Sequence, residues 1–429
     1  MFVVGSVPSL GRVLSADRHW IRCSLAVWIG LVSGLAVYAF LKPDSHTVFD
    51  IYLSASRRWI AGQNIYERTR EFYRYSPLFA VSLAPLAALS DSAAAAIWKF
   101  VNCGVFALGL AAWARRLVPA RLSRGEIASL FMLALPLSLH SMYNSQANLM
   151  MLGSVLLGLA SAAEGRWNRA AAWLAWATLI KGYPLALAML VAGIYPRQFA
   201  LKYVAALGLG LLLPFAAQHP QLVEWQYANW FAHLADSTAL MRERLRTIDY
   251  LFVLYGRPLE PAAFAVIEAI AGAAVFGLCL VCTRQATDAR RRLSGAFEWF
   301  ALWVVLFGPA TESCTYVVAA PVIAWRVLDA LRRPNCGPTI ALLAASLLMM
   351  GPLVTDMFGK LIRNFANEHG SQPIGAILLA GYLLSQMRAS RPADDLTEQP
   401  WRREVLAMPG GAPVRDVSTS EARPLRRAG

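Results

Sequence analysis

The strongest constraint on this chain is its succession of apolar runs, each close to the length that crosses a bilayer and each bounded by short polar segments. A helix of about 20 apolar residues spans the hydrocarbon core. The run 23–41 meets that length and follows Arg12, Arg18 and Arg22. It exceeds the core of a signal peptide, so it is expected to stay as an uncleaved first span with its N-terminus cytoplasmic. Further runs follow at 93–114, 126–143, 147–163, 203–216, 262–282, 296–309, 315–327, 337–353 and 374–387. The run 77–89 is too short to cross and is expected to be half-inserted or interfacial on the outer side. Runs 170–180 and 184–194 are broken at Lys181, Gly182, Tyr183 and Pro184, a pattern that fits a span in thinned bilayer or a re-entrant hairpin. The expectation is an all-α polytopic membrane protein of about twelve transmembrane helices with both termini inside. A long outer loop is expected at 218–260.

Composition agrees with that reading. Hydrophobic residues make up 57% and charged residues 15%, against a usual charged share of about 25%. Neither a set of soluble domains nor a disulfide scaffold has this balance. The net charge of +14 raises the question of nucleic acid. Most basic residues, however, fall in clusters that alternate with the spans on one side: Arg115, Arg116, Arg121 and Arg124, then Arg166 and Arg169, then Arg284 and Arg290 to Arg292, then Arg332 and Arg333. That is the positive-inside signal. No basic stripe with interleaved aromatics is present, so the partner is the lipid bilayer and no nucleic acid is expected. Residues 388–429, polar and rich in Pro and Arg, are expected to form a disordered cytoplasmic tail after an integral membrane domain at 1–387. Cys279 and Cys282 have C-x-x-C spacing but lie in an apolar helix without a second ligand pair, so they read as small buried hydrophobes. No metal site is expected. Glu298 and Glu268, within or near spans, could pair with Lys or Arg, but nothing ties them to chemistry.

Irregular polar backbone at bilayer depth is tolerated only where it lines a cavity. Five polar clusters qualify, and the topology places all of them on the outer side. In the first, residues 47–62, Phe49, Leu53, Ser56 and Ile60 share one helical face while Asp50, Ser54, Arg57 and Ala61 share another. Gly62 is placed as the stop. This amphipathic helix would set a carboxylate and a cation about 10 Å apart on one face, although Thr47 and Asp50 also have capping-box spacing. Arg58 lies beside Arg57. The second cluster is Glu71, Phe72, Tyr73, Arg74, Tyr75, Ser76 and Pro77. The third is Tyr143, Asn144, Ser145, Gln146, Ala147 and Asn148, whose amides suit sugar hydroxyls or a tight turn. The fourth is Lys181, costly in an apolar run and a natural partner for a lipid phosphate. The fifth is Thr311, Glu312, Ser313, Cys314, Thr315 and Tyr316.

Taken in order, Phe49-Asp50-Ile51-Tyr52, Gly62-Gln63-Asn64-Ile65-Tyr66, Phe72 with Tyr75-Ser76-Pro77, Ser145-Gln146-Ala147-Asn148 and Lys181-Gly182-Tyr183-Pro184 resemble glycosyltransferase family 87, of the GT-C superfamily. The resemblance covers roughly residues 20–390. It implies a GT-C-type bundle and a metal-independent, inverting transfer of a hexose, mannose in the related mycobacterial enzymes, from a polyprenyl-phosphate donor to a lipid or glycan acceptor. The active site would be extracytoplasmic, in the plasma (inner) membrane, with no cofactor. Asp50 matches the catalytic aspartate of the family and is expected to act as general base. Arg57, Arg58, Arg74 and Lys181 are expected to bind the donor phosphate. Tyr52, Tyr75, Gln146, Asn148, Glu312 and Tyr316 are expected to bind sugar or acceptor. Two positions depart from the family pattern. Ser145 stands where Gly is usual, and residues 309–316 replace a Ser-Pro motif with a downstream His. The alternative from another class is a membrane transporter or lipid flippase, which would place ionisable residues at mid-span in matched halves.

Overall fold

The computed structural model describes residues 18–43, 45, 47–67, 73–240, 245–285, 288–309 and 311–389. Arg12, Asp44, Glu71, Phe72, the side chains of Cys282 and Arg284, Ala310 and the tail from 390 lie outside the described residues. The chain divides into a unit Met1–Gly381 and a second, Tyr382–Gly429.

No strand occurs among the described residues, and the protein is an all-α polytopic membrane protein. The helices are α1 (Arg18–Leu41), α2 (Phe49–Ile60), α3 (Pro77–Ser82), α4 (Ala84–Ala87), α5 (Asp91–Arg116), α6 (Arg124–Tyr143), α7 (Asn148–Ala163), α8 (Trp167–Ile180) and α9 (Pro184–Ile194). They continue as α10 (Leu201–Leu212), α11 (Pro220–Leu240), α12 (Ile248–Leu254), α13 (Pro261–Gln285), α14 (Ala289–Phe307), α15 (Ala320–Leu331), α16 (Gly337–Met350), α17 (Lys360–Glu368) and α18 (Ser371–Ala389). Among the described residues, seven helical stretches are long and apolar enough to cross a membrane: α1, α5, α6, Pro196–Ala216 around α10, Pro261–Val281 within α13, Ser313–Leu331 ending in α15, and Gly337–Val354 beginning with α16. The expected count is higher because α7 and α9 are apolar but short, at 16 and 11 residues, and α14 carries Arg290, Arg291, Arg292 and Glu298.

Two segments differ from the sequence expectation in form. The run 77–89 is two short helices, α3 and α4, separated at Leu83 and followed by α5. The segment 218–260 is not a loop, since most of it folds into α11 and α12. Val223, Gln226 and Trp230 recur at helical spacing there, and Val223 and Gln226 are fully buried.

The core lies around α7, which is buried on nearly every side and packs between α5 and α8, as an apolar helix without a polar face must. The α5–α7 crossing depends on glycine. A Cβ at Gly109 would run into the backbone of Gly153, and one at Gly153 into the backbone of Val105. Small residues of this kind let membrane helices approach closely. Trp98, Phe106, Leu110 and Trp113 of α5 are wholly buried beside that crossing. Glu298 of α14 meets Arg326 of α15 at 2.5 Å, giving Glu298 the basic partner its position requires. The α6 start is fixed by a capping box, Ser123 N–H donating to Glu126 at 2.8 Å and Glu126 N–H to Ser123 at 3.2 Å, and Arg332 closes on Glu126 at 2.6 Å.

Candidate active site

Helix α2 is amphipathic as its sequence reads. Phe49, Tyr52, Leu53, Ser56 and Trp59 are buried, while Asp50, Ser54, Arg57 and Ala61 face out; Ile60 also turns out. Its end is a Schellman closure: Gly62 N–H donates to Trp59 O at 3.1 Å and Gln63 N–H to Arg58 O at 2.9 Å, with Gly62 at φ +68°. At the start, the N-cap is Val48, with no side-chain cap hydrogen bond. The Thr47–Asp50 capping box therefore does not form, and Asp50 is an exposed carboxylate in the first turn of the helix.

Hydrogen bonds and a cation–ring contact link the five polar clusters. The first meets the third where Val48 N–H donates to Asn144 O at 3.3 Å and Ala147 N–H to the Tyr52 hydroxyl at 3.3 Å. The first meets the second through the Tyr52 and Tyr75 hydroxyls, 2.6 Å apart. Their rings stand edge to face at 4.8 Å, and Phe79 and Trp98 close around Tyr52 at 5.3 and 5.8 Å. The second reaches the fourth as Ser76 donates to Leu179 O at 2.6 Å, and the Lys181 ammonium stands 5.9 Å from the centre of the Tyr75 ring. The third reaches the fifth as Ser141 donates to Cys314 O at 2.7 Å and the Asn144 amide to the Cys314 sulfur at 3.6 Å.

The third cluster breaks the path between α6 and α7, and Ser145 adopts a left-handed φ of 58°. Helix α5 holds that break from the side. The Lys99 ammonium donates to Met142 O at 2.6 Å and to Tyr143 O at 2.7 Å. Trp98 donates to Ser145 O at 2.8 Å, and Asn102 donates to Gln146 O while accepting from Met150 N–H, each at 2.8 Å. The last of these satisfies an orphan N–H in the first turn of α7. Helix α11 fixes the segment after α2 in the same way: Gln226 bridges Gln63 O at 2.7 Å and Ile65 N–H at 3.2 Å, and Trp230 donates to Arg74 O at 3.3 Å. Gln372 anchors the fifth cluster through Ser313, at 2.8 and 3.3 Å.

Glu312 is the electrostatic centre of the assembly. Partly exposed at the start of the turn Ser313–Ala319, its carboxylate acts on Tyr52, Tyr75, Tyr183 and Lys181. Burial lowers the Lys181 ammonium below the usual lysine range, and Glu312 opposes that shift; Arg74 is close enough to add to the lowering. Burial drives the Tyr52 and Tyr75 phenols upward, so both remain neutral hydrogen-bonding groups. Buried polar atoms also remain for a ligand: Asn148 Oδ1 and the Tyr183 hydroxyl have no hydrogen-bond partner among the described residues.

The expected site residues divide into groups. Lys181, Arg74, Tyr52, Tyr75 and Glu312 come together. Asn148 and Gln146 are buried in the third cluster beside them. Arg57 is drawn to the start of α5, where it binds Asp91 at 2.5 Å and Leu89 O at 3.1 Å. Arg58 binds Glu67 at 2.6 Å. Tyr316 is buried in the wall, its hydroxyl donated to Arg246 O at 2.7 Å. Sequence reasoning missed Trp98, Lys99, Asn102 and Gln372, and named Tyr183 only as part of the break after α8. A lysine within an apolar run was the available signal for Lys99, the same signal that marks Lys181.

A family model for glycosyltransferase family 87 matches residues 72–309, more than half of the chain. No curated protein matches it.

Proposed function

Since the chain belongs to glycosyltransferase family 87, and is therefore a membrane-embedded glycosyltransferase, we propose that it moves a hexose, mannose in the first instance, from a polyprenyl-phosphate donor to a lipid or glycan acceptor. In this reading the protein lies in the plasma (inner) membrane with both termini cytoplasmic, and transfer takes place on the extracytoplasmic side. The observation that carries the reading is the convergence of five separate polar clusters around Lys181 and Glu312.

The chemistry asks little beyond these groups. An acceptor hydroxyl attacks the anomeric carbon on the face opposite the phosphate and gives its proton to Asp50, a step for which a positioned carboxylate supplies about 10²–10⁴-fold. The sugar–phosphate C–O bond breaks as the new bond forms, so configuration inverts through an oxocarbenium-like state. The departing phosphate needs fixed positive charge where its negative charge grows. Lys181 and Arg74 supply that charge, which makes metal and cofactor unnecessary. Arg57 and Arg58, each tied to a carboxylate, act on the phosphate only after leaving those partners. Tyr52 and Tyr75 form the aromatic wall for the sugar, while Asn148, Gln146, Tyr183 and Glu312 bind its hydroxyls or those of the acceptor.

The test is to incubate proteoliposomes of purified protein with labelled polyprenyl-phosphate hexoses and candidate acceptors. Donor consumption with formation of a glycosylated acceptor of inverted configuration is expected. Consumption of nucleotide sugars alone would refute the donor class.

A further inference from the structure

A groove of about 600 Å³ lies away from this assembly, between α1, α5 and α6. It exists because α5 presents Gly104, Ala107 and Ala111 there, and nothing stands within 4 Å of the position a Gly104 Cβ would take. Trp28 and Phe131 form walls, locked together by the Trp28 indole donating to Phe131 O at 3.3 Å. At one end the apolar lining gives way to Arg115 and Arg124. Both are exposed, and neither has an ion pair or hydrogen bond among the described residues. The acids nearby are already engaged, Glu164 by Arg116 at 2.7 Å and Glu126 by Arg332 at 2.6 Å. The mouth of the groove therefore carries positive charge without a counter-ion among the described residues.

Its dimensions choose the occupant. From Gly104 to Arg115 the helical rise is about 17 Å, close to the roughly 15 Å of hydrocarbon in one leaflet. A polyprenyl chain would far overrun that length, whereas an acyl chain fills it with its phosphate at the arginines. The site is distinct from the candidate active site: Arg115 lies about 36 Å along α5 from Asp91, which holds Arg57 of α2. We infer that this groove binds an anionic phospholipid of the leaflet on the basic side, one acyl chain along α5 and the headgroup phosphate between Arg115 and Arg124.

The test uses purified full-length protein exposed to an equimolar mixture of phosphatidylglycerol and phosphatidylcholine, with the retained lipid read by native mass spectrometry. Both lipids offer a phosphate to the arginines, but the choline cation of phosphatidylcholine is repelled by them, so phosphatidylglycerol is expected to be retained about tenfold over phosphatidylcholine. The double variant Arg115→Gln, Arg124→Gln, which changes exposed side chains only, should bring the ratio to parity, whereas Arg121→Gln should leave it intact. Gly104→Phe fills the groove and should remove the retained lipid while the protein still elutes as wild type. The inference is overturned if the wild type shows no preference, if the double variant keeps it, if Arg121→Gln abolishes it equally, or if polyprenyl phosphate displaces the phospholipid from the wild type.

Discussion

Asn102→Leu tests how the candidate site is held. The side chain is 1% exposed and ties the break to the first turn of α7, its amide N–H donating to Gln146 O and its carbonyl accepting from Met150 N–H, both at 2.8 Å. Leucine keeps the volume and removes both bonds, leaving one buried acceptor and one helix-terminal donor without partners. Each orphaned group costs about 1–3 kcal/mol, so the variant should lose about 2–6 kcal/mol of unfolding free energy. Equilibrium unfolding in detergent micelles, followed by circular dichroism, measures the loss. Because the break carries Asn144, Gln146 and Asn148, sugar transfer should fall more steeply than the folded fraction. A loss under about 1 kcal/mol would mean that Gln146 and Met150 find other partners and that α5 does not position the break.

Three further outcomes follow from the same geometry. Gly62→Ala places a side chain at φ +68° in the closure of α2 and should destabilise by about 1–2 kcal/mol in the same unfolding assay. Arg57→Ala breaks an ion pair whose members are 43% and 56% exposed, so the stability change should stay below about 1 kcal/mol; a larger loss would give that pair a structural weight its exposure does not support. Burial lowers the Lys181 ammonium, so its charge, and with it donor binding, should be lost on the alkaline side at a lower pH than for a free lysine. Steady-state donor KM across alkaline pH checks this, and Lys181→Arg, which keeps its charge, should flatten the rise.

The parts of this protein that were legible in the sequence are those where local pattern fixes local structure. Asp50, Ser54, Arg57 and Ala61 recur at helical spacing opposite Phe49, Leu53 and Ser56, so α2 and its two faces could be read directly, as could its stop at Gly62. The break at Lys181 to Tyr183 was equally plain. Helix α11 was not, because Gln, Glu, Asn and His interrupt its apolar positions, and its buried face depends on Gln226 satisfying backbone groups 161 and 163 residues earlier. The support from α5 was hidden for the same reason. Trp98, Lys99 and Asn102 reach carbonyls 43 to 47 residues away, and no local pattern carries that information. Arg57 and Arg58 show the converse limit: their types suit a phosphate, but the carboxylates that hold them come from Asp91 and Glu67.

In the proposed reaction Asp50 removes the acceptor proton in a site charged by Lys181 and Arg74. The most direct measurement is the transfer rate of purified Asp50→Asn protein at saturating donor, beside Glu312→Gln and with polyprenyl-phosphate binding measured on each. Asp50→Asn is expected to bind the donor as wild type does but to transfer about 10²–10⁴-fold more slowly, while Glu312→Gln should alter donor and acceptor binding more than the rate. Near-wild-type transfer by Asp50→Asn, with the loss in rate falling on Glu312→Gln instead, would contradict that role for Asp50 and place the base at the other carboxylate.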